Sequence, residues 1–149
     1  MDRFLDNEGL LVCSMTLVLA NNKDKDIAWL DLVAVLIVDR TIRRRLINYV
    51  NYESFKNGES KFDAALNRKF KELQPVIVNA LTIMLMTGLF EFKGGQRAYL
   101  TEKGERMAMD LTQSQIKVKE EIEKAVSVLS CLLQNVSTLD IYKDLKIIL

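Results

Sequence analysis

Histidine is absent from this chain, and with it go the Ser-His-Asp and Cys-His catalytic arrangements and every histidine-based metal site. Cysteine is almost as scarce. Cys13 and Cys131 stand far apart in sequence, each in an apolar setting, and form no zinc-like cluster. They read as two buried thiols in a reducing compartment, with a disulfide between two helices as the less favoured alternative. No Walker A or Rossmann glycine pattern occurs, and Gly94-Gly95 lacks the Lys-Ser or Lys-Thr context of a phosphate cradle. An excess of either charge is missing too: 21 Lys and Arg face 20 Asp and Glu. A protein that grips several phosphates by itself shows a clear basic excess, so nucleic-acid contact here is local or shared with a partner.

Long apolar runs are equally lacking. The longest uncharged stretch, Leu73 to Phe90, is short for a bilayer span and carries Gln74, Pro75, Asn79, Thr82 and Thr87. The opening MDRFLDNEGLLVCSM is acidic where a secretory signal is basic, so a cytoplasmic protein is expected, without membrane contact. What is abundant is aliphatic: 49% of the residues are hydrophobic and only 7% aromatic, enough for a core built mostly of Leu, Ile, Val and Met.

Helical spacing of Leu11, Met15, Val18 and Leu19 predicts a first buried helix over Glu8 to Ala20, followed by a polar loop, NNKDKD, whose Asp26 suits the cap of the next helix. From Ile27 to Val50 there is neither Gly nor Pro, which favours one long helix over a strand at LVAVLIV followed by a helix. A helix apolar on nearly all sides is central in its own fold or covered by another chain. NYESFKNGES reads as a loop turning at Asn57-Gly58. Phe62, Leu66, Phe70 and Leu73 then mark an amphipathic helix with Arg68, Lys69 and Lys71 off the apolar face. Pro75 either opens a new helix or kinks that one, and Gly88 suits a left-handed stop.

LFEFKGGQRAYLT alternates on both sides of Gly94-Gly95, the pattern of a β-hairpin with a primed turn. Thr101 caps the helix after it. A last long helix starts at Thr112 or Ser114; its apolar positions Ile122, Val126, Leu129, Leu133 and Val136 step by fours and threes like a coiled-coil seam, for a partner or for the same chain's body. Ser137 and Asp140 fit a cap before a short helix ending in Leu145, Ile147, Ile148 and Leu149, apolar residues that need cover. The fold class expected is mainly α (α+β): a winged-helix-like helical domain over residues 1–112 with one β-hairpin wing, and a C-terminal helical extension over 113–149.

No residues for catalysis, cofactor binding or a metal stand out. Asp24, Asp26 and Asp31 are the carboxylates nearest to a magnesium set, but loop solvation and capping explain the first two, and Asp39 is expected to pair with Arg43 one turn on. The basic candidates are Arg40, Arg43 and Arg44 on one helix face with Arg45 beside it, and Lys93 and Arg97 on the wing. They suit phosphate or an acidic partner surface, or are a solvated helix end and an ordinary hairpin surface. In a winged helix the helix before the hairpin enters the major groove; here that helix, PVIVNALTIMLMT, is uncharged, so base reading by it is not expected.

RAYLTEKGERMA looks like the wing exit of many winged-helix proteins. Together with the helix ending TIRRRL, the LNRKF helix and the TGLFEF arm, the pattern over Glu8 to Leu111 resembles the middle components of bacterial three-component ABC-ATPase systems, among them the small accessory subunit of Lamassu-type antiphage defence. The resemblance implies a winged-helix-like, non-catalytic subunit on the heads of an SMC or Rad50-like ATPase. It would accompany an effector, often a nuclease, with ATP and magnesium belonging to the partner, and the resemblance leaves open a non-specific contact with DNA within the complex. It carries over no catalytic residues, only Thr41, Arg43, Leu46 and Arg68 as positions that orient the fold or meet the partner. The uncharged recognition helix departs from a DNA-binding pattern. The second reading is a homodimeric winged-helix transcriptional regulator joined through its last long helix.

Overall fold

The computed structural model describes residues 7–22, 25–94, 96–113 and 119–148. Helix α1 (Asn7–Asn21) buries Leu11, Val12, Met15, Val18 and Leu19. Its fully buried Ser14 and Thr16 donate their hydroxyls to Leu10 O and Val12 O one turn back, each at 2.7 Å, so the helix is covered without an unsatisfied donor. Strand β1 (Lys25–Asp26) leads directly into α2 (Ile27–Val38), where Asp26 Oδ1 accepts from Trp29 N at 2.7 Å as the N-cap. Everything from Leu32 to Ile37 is buried, with α1, α5, α7 and α8 packed around the helix. The cover that this apolar helix requires therefore comes from its own chain.

The single helix expected from Ile27 to Val50 is two. Asp39 leaves the helical conformation at ψ 119°, ends α2, and accepts from Ile42 N at 3.0 Å to cap α3 (Arg40–Leu46). Its other oxygen meets Lys69 Nζ at 3.4 Å, so the expected partner Arg43 is displaced. The expected loop that follows is also a helix, α4 (Tyr52–Glu59), opened by a reciprocal capping box between Asn51 and Ser54. Gly58 is not its turn: a Cβ there would lie 2.5 Å from Cε1 of Tyr49, so glycine serves a close side-chain approach inside a helix.

A 3-10 turn (Ser60–Phe62) feeds α5 (Asp63–Met86), which runs unbroken through Pro75 for 24 residues. Pro75 thus neither starts a helix nor ends one. Leu66, Phe70, Leu73, Ile77, Ala80 and Met84 form its buried side. The helix stops as expected at Gly88, φ +75°, where Gly88 N donates to Leu85 O and Leu89 N to Met84 O, the paired bonds of a Schellman ending.

The hairpin is present. Strand β2 (Phe90–Lys93) pairs antiparallel with β3 (Arg97–Leu100), Phe92 opposite Ala98 and Lys93 opposite Arg97, with Gly94 at φ +62°. Strand β1 adds to the far side of β3, giving the order β1-β3-β2, and Ile27 N donates to Gln96 O to fasten the wing to the start of α2. Thr101 Oγ1 accepts from Gly104 N at 3.1 Å and caps α6 (Glu102–Gln113). Helices α7 (Lys119–Leu132) and α8 (Thr138–Asp144) complete the chain, with Ser137 capping α8. Of the two starts expected for the last long helix, Thr112 lies inside α6 instead, and Ser114 lies outside the described residues.

The fold is mainly helical with a three-stranded sheet whose hairpin forms a wing. Helix α7 lies against α1, α2 and α3, and α8 is tied to α2 by Thr138 Oγ1 to Asp26 Oδ2 (2.9 Å) and Tyr142 OH to Ala28 O (2.6 Å). Residues 119–148 are therefore built into the body. Among the described residues no helix is long and apolar enough to cross a membrane.

Candidate functional site

The arginines on and beside α3 do not form one open face. Because α3 restarts at Asp39, Arg43 turns back beneath the end of α2, with only 4% of its side chain exposed. There its Nη1 donates to Ile37 O at 2.9 Å and its Nε to Glu121 at 3.3 Å, which closes carbonyls at the C-terminus of α2 and pins α7. Arg45 makes a bidentate pair with Glu59, both bonds 2.8 Å, and its guanidinium lies 4.0 Å from the centre of the Phe62 ring. Glu59 is fully buried and also accepts from Tyr49 OH. Burial, then that carboxylate, push the Tyr49 phenol well above its ordinary value, so it remains a donor. Arg44 stays largely exposed, 3.7 Å from Glu121, and Arg40 is exposed. Of the four, Arg43 and Arg45 are committed to the fold.

Lys93 and Arg97 are exposed cross-strand neighbours on the wing, and Arg97 also faces Asp26 across the sheet. The seam expected to meet a partner is closed within the chain. Ile122, Val126, Leu129, Leu133 and Leu145 are all 2% exposed or less, because α1, α2 and α3 supply the other side. Ile147 is buried, Ile148 is exposed with its N–H donating to Asn67 Oδ1 at 2.7 Å, and Leu149 lies outside the described residues. Cys13 is half-buried and Cys131 exposed, both free thiols, which corrects the reading of two buried ones.

The carboxylates of the described residues do not converge. Among the described residues no group of three His, Cys, Asp or Glu side chains could hold a metal ion, and Asp24 lies outside them. Asp26 is occupied as a double acceptor. Asp31 accepts from Gln74 Nε2 at 3.0 Å, and burial raises its carboxyl above the ordinary value more than that bond lowers it. An open cleft of about 570 Å³ between α1, β3 and α6, lined by Leu19, Tyr99, Leu100, Ala108 and Met109, has the exposed Glu105 as its charged side chain.

The surface that the sequence reading passed over is the outer side of α5. Val78, Ile83, Leu85 and Met86 are 57%, 43%, 45% and 81% exposed. They occupy the position of a recognition helix, with no charge between Glu72 and Glu91. The polar residues among them are turned inward along the helix: Thr82 Oγ1 donates to Val78 O at 2.8 Å and Thr87 Oγ1 to Ile83 O at 2.6 Å. Neither hydroxyl proton is free for a base edge, and neither residue brings an unmet donor to a buried interface. Asn79 is the other exposed polar residue of this stretch. The signal was available: once one face of Leu73 to Phe90, stepping by threes and fours, is assigned to the core, what remains outside is still largely aliphatic. Comparison of this chain with protein-family models, with curated proteins and with solved structures finds no match.

Proposed function

We propose that this protein is a non-catalytic accessory subunit that docks on a partner protein through the outer side of α5, and that the partner is an SMC or Rad50-like ATPase working with an effector in cytoplasmic antiphage or anti-plasmid defence. The observation that carries the docking is the exposed Val78, Ile83, Leu85 and Met86, on a helix whose Thr82 and Thr87 hydroxyls are already satisfied. An apolar patch of this kind marks a protein contact rather than a phosphate one. The identity of the partner rests on the resemblance of the TIRRRL, LNRKF and TGLFEF segments. In this reading ATP and magnesium belong to the ATPase, and any DNA contact is non-specific and falls to the wing, at Lys93 and Arg97. The dimeric regulator loses its expected interface, since the α7 seam is core.

The test is affinity capture of the full chain from its native host, wild type beside a Val78→Glu/Met86→Glu variant. Both positions are exposed, so the variant keeps its fold by circular dichroism. An SMC-like ATPase recovered in stable ratio with the wild type and lost with the variant supports the proposal. Recovery of this chain alone at dimer mass overturns it and favours the regulator.

A further inference from the structure

The outer side of α5 has a shape and a charge pattern of its own. Arg68, Lys71, Pro75, Val78 and Thr82 follow one another at three- and four-residue steps, Leu85 and Met86 stand three and four residues beyond Thr82, and all are exposed. Those steps trace one stripe along the helix. From Pro75 to Met86 the stripe is uncharged over about 18 Å, a little more than three turns. At its N-terminal end stand Arg68 and Lys71, while the neighbouring Glu72 is 3.7 Å from Lys69 and Lys69 is itself bridged to Asp39. At its C-terminal end Lys103 Nζ donates to Thr87 O at 2.7 Å, placing a cation over the last turn. The nearby Glu102 is paired with Arg106 at 4.0 Å. An apolar centre thus lies between two positive ends.

A second copy of the chain suits this surface poorly. Packed antiparallel, Arg68 and Lys71 of one copy approach Lys103 of the other; packed parallel, they approach their own counterparts. Like charges meet in either arrangement, a cost that works against self-association. Another helix with the opposite pattern meets no such conflict and fits ridge into groove along the same length. We infer that the outer stripe of α5 receives an apolar α-helix of another protein, about three turns long and bounded at both ends by carboxylate side chains. This rests on the reading of that face as a protein-docking surface, and it specifies the docked element.

Photo-crosslinking reads that element directly. Benzoylphenylalanine in place of Met86, in the full chain expressed in its native host, should give on irradiation an adduct with one peptide of a different protein, and sequencing should show an apolar helical run flanked by Asp or Glu. An Arg68→Glu/Lys71→Glu variant of the same chain should lower the adduct yield about tenfold, through lost electrostatic complementarity. Capture of this chain's own α5, of nucleic acid, or of a peptide without acidic flanks overturns the inference. So does the absence of any adduct, or an unchanged yield in the charge-reversed variant. The two proposals separate in the same experiment: an acid-flanked helix from a protein other than an SMC-like ATPase keeps this inference and removes the functional reading. An ATPase peptide lacking those flanks does the reverse.

Discussion

Two carboxylates, Glu59 fully buried and Asp31 half-buried, differ in the groups that meet them. Glu59 is fully buried, yet Arg45 grips both of its oxygens and Tyr49 adds a third donor, so its charge is matched bond for bond. Asp31 has only the neutral Gln74 amide, and burial leaves its carboxyl raised above 3.8. A raised carboxyl means that the folded protein holds the proton more tightly than the unfolded chain. Its stabilising effect is complete below the unfolded value and is lost as pH rises through the folded one. Asp31→Asn keeps an acceptor for Gln74 and removes the charge, so the variant should show a higher urea midpoint than wild type at neutral pH. That advantage should shrink to nothing below about pH 4. Urea titrations of both proteins across this range check it; an advantage independent of pH would mean that packing, not ionisation, governs the site.

At the scale of elements, the residue that divides Ile27–Val50 is Asp39, which ends one helix and caps the next. Asp39→Ala removes the acceptor of Ile42 N together with the Lys69 pair, and should cost about 1–2 kcal/mol. Asp39→Asn keeps the cap and loses only a half-exposed ion pair, a change of about 0.2–1 kcal/mol. Denaturant titration of the two variants separates these effects, and equal losses would assign the energy to Lys69. In sequence this Asp sat in an unbroken apolar course, where a capping residue cannot be told from a solvated one. Signals complete within a few residues were legible: Asp26, Thr101 and Ser137 as caps, Gly88 as a stop, and Gly94 within the hairpin. Signals that depend on a distant partner were not. Gly58 reads as a turn until the Tyr49 ring is seen against it, and β1, two residues long, owes its strand to β3 rather than to any alternation of its own. Pro75 is tolerated because it lies on the exposed side of a helix held by its other face, which helix spacing alone did not decide.

Across the whole molecule, spacing by threes and fours identifies a helix with one buried stripe but not the chain that buries it. In α7 that chain is this one: Leu129 is 1% exposed, on a helix packed against α1, α2 and α3, neighbours that could not be anticipated from a seam of two heptads. From Pro75 onward α5 is apolar on both sides, and its outer side is exposed. Of the two roles open to the α7 seam, a partner or the chain's own body, the structure shows the second, while the outer side of α5 is left at the surface. Leu129→Ala should therefore act as a core truncation, destabilising the protein by about 2–5 kcal/mol. It should do so in a single cooperative transition, because α7 and the winged-helix-like body share one core. Met86→Ala, on a side chain already 81% exposed, should leave the midpoint within about 0.5 kcal/mol of wild type. Urea unfolding followed by circular dichroism and by the fluorescence of the buried Trp29 distinguishes the cases. Coincident curves shifted together by Leu129→Ala place α7 inside the folding unit. A fluorescence curve unmoved while part of the helical signal is lost early would make 119–148 an appendage, and would return its seam to the surface as a site for a partner.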